Sequence, residues 1–280
     1  MTLDKCELLK LNDHKFPLHL ALMKKRLENV GVDASADTWM TLSYVFEVLL
    51  KTTAICLISG IGKASQDVAY ALKHALIHAD GLGTWEAIIG DCCSQSKAGY
   101  ISREVRTLVE WLTRKRRNDQ DPWIFDSVSD LEQIFSVMGL GPVSDGRKLT
   151  VLKVFTLLVQ LRNKTKGHGA MSLEFYEATN FYFWNAVVRI VNECPVSKFK
   201  WYYIAKRGHK KENKAQLLEG LQPKFISVDS LRNLPAGKGI YFQTHENGIF
   251  FAVEEMLASP HFSATSLCKY DRNLSIKCVF

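Results

Sequence analysis

Long apolar runs are missing from this 280-residue chain; the longest, residues 54–61 and 151–161, fall well short of the roughly twenty that span a bilayer. The start, MTLDKCELLKLNDHK, has no apolar core of the kind a secretory leader carries. Seven cysteines (Cys6, Cys56, Cys92, Cys93, Cys194, Cys268 and Cys278) form an odd, unpatterned set without a C-x-x-C pair. That excludes a disulfide framework by pattern, and the adjacent Cys92-Cys93 cannot chelate as a spaced pair would. The expectation is a cytoplasmic chain with reduced, buried thiols and no membrane contact. There is no Gly-x-Ser-x-Gly elbow, no dinucleotide-binding fingerprint, no internal repeat and no low-complexity tract. Residues 234–240, LPAGKGI, lack the spacing and the Lys-Ser/Thr pair of a phosphate loop and read as a turn. His74 and His78 are four apart on one expected helix, a spacing that suits metal ligands, but no third ligand accompanies them. They are expected on an exposed helix face, and neither a metal nor another cofactor is expected.

What is present describes a globular protein. Apolar residues make up 47% and charged residues 23%, enough for a sizeable core in one large domain or two. A net charge of +7 suits an anionic partner, which could be RNA, DNA or a membrane surface.

Apolar residues recur at three- and four-residue spacings from about residue 17 to 193, the period of amphipathic helices. Residues 37–61 carry Trp39, Leu42, Phe46, Leu49 and Leu50 at that spacing, with Asp33 or Asp37 as a cap and Gly60 and Gly62 as a stop. Helices are also expected over 66–79, briefly over 85–89, and over 103–117, 124–138, 149–164 and 173–191. In the third of these, Ser102 would cap the start and Arg114 to Arg117 would complement the dipole in the last turn. The final helix, with Phe175, Tyr176, Phe181, Tyr182, Phe183 and Trp184, is apolar nearly all round and reads as core.

After Cys194-Pro195 the pattern turns to strands, at 199–204, 222–228, 239–243, 249–253, 267–270 and 275–280, with a hairpin signal at Asn247-Gly248. The fold class is therefore α+β: an all-α bundle over 1–194 followed by a small antiparallel β domain over 195–280. The last residues read as a strand, which suits an edge strand or a parent chain that continues.

One segment carries chemistry. LRNKTKGHGA places Arg162, Asn163, Lys164 and Lys166 at the end of an apolar helix and His168 between Gly167 and Gly169. A guanidinium offers a rigid fork of donors to phosphate oxygens. A histidine near its ordinary pKa can take a proton from a ribose 2′-hydroxyl or give one to a leaving oxygen. The plainer alternative is a basic helix end, in which Arg162 and Lys164 cap carbonyls and the glycines stop the helix. A second basic stretch, Lys198, Lys200, Lys206, Arg207, Lys210, Lys211 and Lys214, is interleaved with Trp201, Tyr202 and Tyr203. It suits single-stranded nucleic acid if the rings are open and a solvated hairpin if they face the core.

An Arg, a polar Asn and a His five residues further on, between two long antiparallel helices of an all-helical domain, resembles the HEPN superfamily (higher eukaryotes and prokaryotes nucleotide-binding). Arg162–His168 is the one pair in the chain with the family's spacing. The resemblance covers roughly residues 17–193. It implies a homodimeric, metal-independent endoribonuclease of antiviral-defence or toxin systems, with Arg162 on the scissile phosphate, His168 as general acid/base and Asn163 orienting one of them. Lys164, Lys166, Lys206, Arg207, Lys210 and Lys211 would then contact RNA. The competing expectation is a non-catalytic RNA-sensing or dimerisation module of a larger protein, with further domains or a partner protein.

Overall fold

The structure is a computed structural model that describes residues 11, 16–31, 33, 35–61, 66–77, 81–141, 149–166, 171–204, 214–227, 239–245, 248, 251–253, 269–270 and 276–277. The helices are α1 (Leu18–Val30), α2 (Ala36–Ser59), α3 (Gln66–Ile77), α4 (Leu82–Cys93), the single turn α5 (Gln95–Ala98), α6 (Arg103–Thr113), α7 (Pro122–Val137), α8 (Val151–Lys166) and α9 (Leu173–Glu193). A 3-10 turn at Pro195–Lys198 leads into β1 (Lys200–Ile204), β2 (Lys214–Leu217), β3 (Lys224–Ser227), β4 (Gly239–Gln243) and β5 (Phe251–Val253). These five form one antiparallel sheet in the order β3-β2-β1-β4-β5, and β6 (Lys269–Tyr270) pairs with β7 (Ile276–Lys277). The chain is thus α+β, a helical bundle followed by a small antiparallel sheet.

The bundle is built around α2. Eighteen of its 24 residues are buried, so it packs on several sides against α1, α4, α6 and α9 and meets β5 at the sheet. By length and composition this helix alone among the described residues is apolar enough to cross a membrane, yet 89% of that window is buried inside the protein. Helical spacing, with polar residues scattered through it, hid this from a search for unbroken apolar runs. The hydroxyls on α2 bond back along the helix, Ser43 to the Trp39 carbonyl at 2.9 Å, Thr52 to Val48 at 2.7 Å and Thr53 to Leu49 at 2.8 Å. That removes the cost of burying an unpaired hydroxyl.

The N-cap of α2 is Ser35, whose Oγ accepts from the Thr38 N–H at 3.2 Å, and not Asp33 or Asp37. Asp33 supports the cap by accepting from the Ser35 and Thr38 hydroxyls, bonds that also hold its carboxyl below the ordinary range. Asn180 of α9 then donates to the Asp33 and Ser35 carbonyls at 2.8 and 3.0 Å, pinning α9 to this corner. Trp39 lies against Phe175 and Phe183 with ring centroids 5.0 and 4.3 Å away, so Phe175, Tyr176, Phe183 and Trp184 of α9 are core, while Phe181 and Tyr182 stay half-buried.

Three local expectations are corrected. The helix expected over 103–117 ends at Thr113, where Arg114 turns extended (ψ 123°), and Ser102 makes no side-chain cap. Its basic run is a connector: Arg116 is buried, donates to Asp121 at 2.6 Å and pairs its backbone with Leu149. The short helix at 85–89 is a full three turns, α4, because Leu82, Trp85, Ile88, Ile89 and Cys92 give it a continuous buried face. Lys214, the last residue of the basic stretch, opens strand β2, which no sequence signal marks, and Ala215 and Gln216 are buried in mid-sheet. Helix α7 packs against both α8 and α9.

The sheet's inner face joins the helical core. Phe199, Trp201, Tyr203, Leu218, Phe242, Phe251 and Val253 belong to the same apolar cluster as the helices, while Tyr202, Ile204, Ala215 and Tyr241 form a smaller cluster opposite. The chain before α1 is laced to the β2 end, with the Gly220 N–H on Phe16 and the Leu18 N–H on Leu218 at 2.9 and 3.0 Å.

His19 sits at that seam, edge-on to Trp201 with centroids 5.1 Å apart. The residue is half-buried, but its Nε2 is enclosed with no hydrogen-bond partner among the described residues, and burial pulls its pKa from 6.5 to about 4. An unfolded His19 takes up a proton near pH 6.5 that the folded one refuses until about pH 4. Its contribution to stability is therefore complete above 6.5 and lost as pH falls through that interval, on the order of 3 kcal/mol in all. Denaturant titrations of wild type should lose stability between pH 6.5 and 4, and His19→Leu should flatten that slope. An imidazole titrating near 6.5 by NMR in the folded protein would refute this.

Candidate functional site

Helix α8 carries the site because its other face is committed to the core. Val151, Val154, Phe155, Leu157, Leu158, Val159 and Leu161 are all buried, which leaves Arg162 half-buried and Asn163 and Lys164 exposed one turn before the helix ends. Thr165 closes that turn, its Oγ1 donating to the Leu161 and Arg162 carbonyls at 3.0 and 3.2 Å. The capping alternative for Arg162 does not hold among the described residues, because its side chain leaves its own helix. Arg162 Nη2 approaches Glu47 Oε2 of α2 at 3.7 Å, and each side chain is 20% exposed.

Glu47 is shared. Its other oxygen, Oε1, accepts from Lys51 Nζ at 2.5 Å, one helical turn along α2. Lys51 is only 4% exposed, and its ammonium lies 5.7 Å from the centroid of Trp85 of α4. Next to Trp85, Glu86 accepts from Thr156 of α8 at 2.7 Å. One carboxylate therefore balances a buried ammonium on one side and a partly exposed guanidinium on the other. The two contacts are unequal. Lys51 is held by a short charge-assisted hydrogen bond, and Arg162 by a single longer ion contact through one of its nitrogens.

Sequence reasoning singled out Arg162 and missed Glu47, Lys51 and Trp85. The signal was there: Glu47 and Lys51 are the only charges between residues 38 and 59, four apart in an otherwise uncharged helix. Such a pair inside a buried segment marks a charge network.

The rest of the expected site divides in two. His168 lies outside the described residues, as do Lys206, Arg207, Lys210, Lys211 and His78, and the Lys166 side chain is not described. Trp201, Tyr202 and Tyr203, by contrast, are described and buried, so these rings are core and not a platform for bases. Strand β1 is covered on both faces, which its apolar composition allowed but did not require. His74 is exposed beside Tyr70, and among the described residues no group of three His, Cys, Asp or Glu is placed to hold a metal. Burial pushes the thiols of Cys92, Cys93 and Cys194 up to about 12, which leaves them too little thiolate to act as nucleophiles.

Comparison with protein-family models, with curated proteins and with solved structures finds no match to this chain.

The inequality around Glu47 is measurable as stability. Glu47→Gln takes from the buried Lys51 the carboxylate at 2.5 Å and should cost about 3 kcal/mol in urea unfolding. Arg162→Ala removes only the longer, partly hydrated contact and should cost no more than about 1 kcal/mol. Equal losses would mean that Arg162 is built into the core as firmly as Lys51.

Proposed function

We propose that the chain is a HEPN-type, metal-independent endoribonuclease, with Arg162 and His168 as its reacting pair. The observation that carries this reading is the state of Arg162. Its guanidinium is oriented by Glu47 through one 3.7 Å contact and stays partly exposed beside Asn163 and Lys164, so most of its donor fork is uncommitted among the described residues. A half-buried cation with spare donors is suited to phosphate, because partial burial strengthens the interaction and little reorganisation is needed.

In the proposed reaction the ribose 2′-oxygen attacks the adjacent phosphorus while His168 takes the 2′-proton. The P–O5′ bond breaks and the leaving O5′ takes a proton from the protonated His168, which returns to its neutral form, giving a 2′,3′-cyclic phosphate and a 5′-hydroxyl. Arg162 neutralises the charge that builds on the non-bridging oxygens, and Asn163 orients one of the pair. A homodimer would bring two such sites together, and the exposed Lys164 would add a phosphate contact.

A second reading has one specific observation behind it. Glu47 links Lys51 of α2 to Arg162 of α8, and that cross-link by itself gives Arg162 a structural use in a non-catalytic RNA-sensing or dimerisation module.

RNA cleavage in EDTA separates the two. Wild type should cut single-stranded RNA and leave 2′,3′-cyclic phosphate ends. Folded Arg162→Ala and His168→Ala should each lose at least about a hundredfold in rate, the low end for a general acid/base. Cleavage that persists in both variants, or no cleavage over a broad RNA panel together with a large stability loss in Arg162→Ala, would favour the structural module.

A further inference from the structure

Helix α2 has almost no solvent-facing surface, and what it has is of an unexpected kind. From Thr38 to Ile58 every residue is buried except three: Met40 (46% exposed), Tyr44 (39%) and the half-buried Glu47. Spacings of four and three put them on one stripe. Positions open to water on a core helix are ordinarily polar, so a methionine and a tyrosine there call for contact with something. The stripe ends at Glu47, the residue that holds Arg162.

The surroundings indicate what the contact is. Arg26 of α1 lies over the Tyr44 ring with its guanidinium carbon 5.1 Å from the ring centroid. The ledge is thus an aromatic ring with a planar cation against it, and both surfaces stack nucleobases. Three residues along an α-helix is a rise of about 4.5 Å, so Tyr44 lies about one nucleotide's reach from the Glu47–Arg162 pair. Cations flank the stripe at Arg26 and Arg162, suited to the phosphates on either side of a stacked base.

We propose that Tyr44, with Arg26 against it, is a base-stacking subsite that holds a nucleotide of single-stranded RNA next to the phosphate bound by Arg162, with Met40 extending the ledge to the neighbouring base. The proposal rests on the ribonuclease reading and adds a reason for its substrate to be unpaired RNA, since bases stacked within a duplex cannot reach the ring. Recognition by stacking is tolerant of sequence, so the subsite sets position along the strand and does not choose a base.

The test uses the full chain carrying His168→Ala, which keeps RNA intact, and a fluorescein-labelled 12-nucleotide single strand of mixed sequence. Adding Tyr44→Ala should weaken binding about tenfold, in line with the loss of one stacked base. Tyr44→Phe should stay within about twofold, and the same sequence as a duplex should bind no better than the Tyr44→Ala protein binds the single strand. Thermal unfolding and light scattering check fold and assembly. In the otherwise wild-type chain Tyr44→Ala should raise KM more than it lowers kcat. Unchanged affinity in Tyr44→Ala, with cleavage still dependent on His168, would overturn the ledge and leave the nuclease reading intact. A change in oligomeric state without a change in RNA affinity would overturn it too and make the stripe a contact between copies. Absence of both RNA binding and cleavage in wild type would remove the ledge and the nuclease reading together.

Discussion

Burial of α2 on nearly every side is the constraint from which the rest of the structure follows. A helix surrounded by protein has no water to satisfy its polar groups, so each must be answered from within. The hydroxyls are answered by carbonyls one turn back. An ammonium cannot be answered that way, and Lys51 needs a carboxylate within reach. Glu47, one turn away on the same helix, supplies it, and having been brought into the interior it attracts a second cation from across the bundle. The partner chosen is Arg162, so the most chemically suggestive residue of the chain is oriented by the same carboxylate that makes a buried lysine tolerable.

This coupling explains why structural and functional readings of Arg162 overlap. A guanidinium docked on a carboxylate contributes to packing, and a guanidinium docked by one long contact still has donors to offer. Lys51 takes the stronger share of Glu47, which leaves Arg162 the weaker one. The same burial leaves α2 so little open surface that Met40 and Tyr44 stand out, and both lie on the approach to that pair. The sheet serves packing. Its inner face continues the helical core, its central aromatics are consumed in packing, and its seam with α1 encloses His19.

Much of the fold was legible in the chain. Three- and four-residue spacing announced α2, α3, α7, α8 and α9, and the change in composition after Cys194-Pro195 announced the strands; both are local signals that survive folding. Boundaries decided by backbone partners were not legible. Arg114 to Arg117 has the composition of a helix end but leaves the helix at Thr113, because Arg116 is needed by Asp121 and by the Leu149 backbone. Ser35 displaced two aspartates as the cap because Asp33 was drawn into supporting it. The fate of Trp201, Tyr202 and Tyr203 was equally open, since aromatic side chains serve a core and a binding face alike.

For the candidate site, the sequence by itself determined the chemical inventory: an arginine, an asparagine and lysines at the end of an apolar helix, and one acid–base pair alone within a long uncharged segment. Residue type and helical spacing are sufficient for that, because side chains three or four apart meet wherever the helix lies. Only the tertiary structure decided that Glu47 and Arg162, more than a hundred residues apart, share a charge network, and that Met40 and Tyr44 are the exposed positions of α2 between Thr38 and Ile58. Contacts between helices depend on which faces pack together. That is settled by the whole core at once and is written in no single segment of the chain.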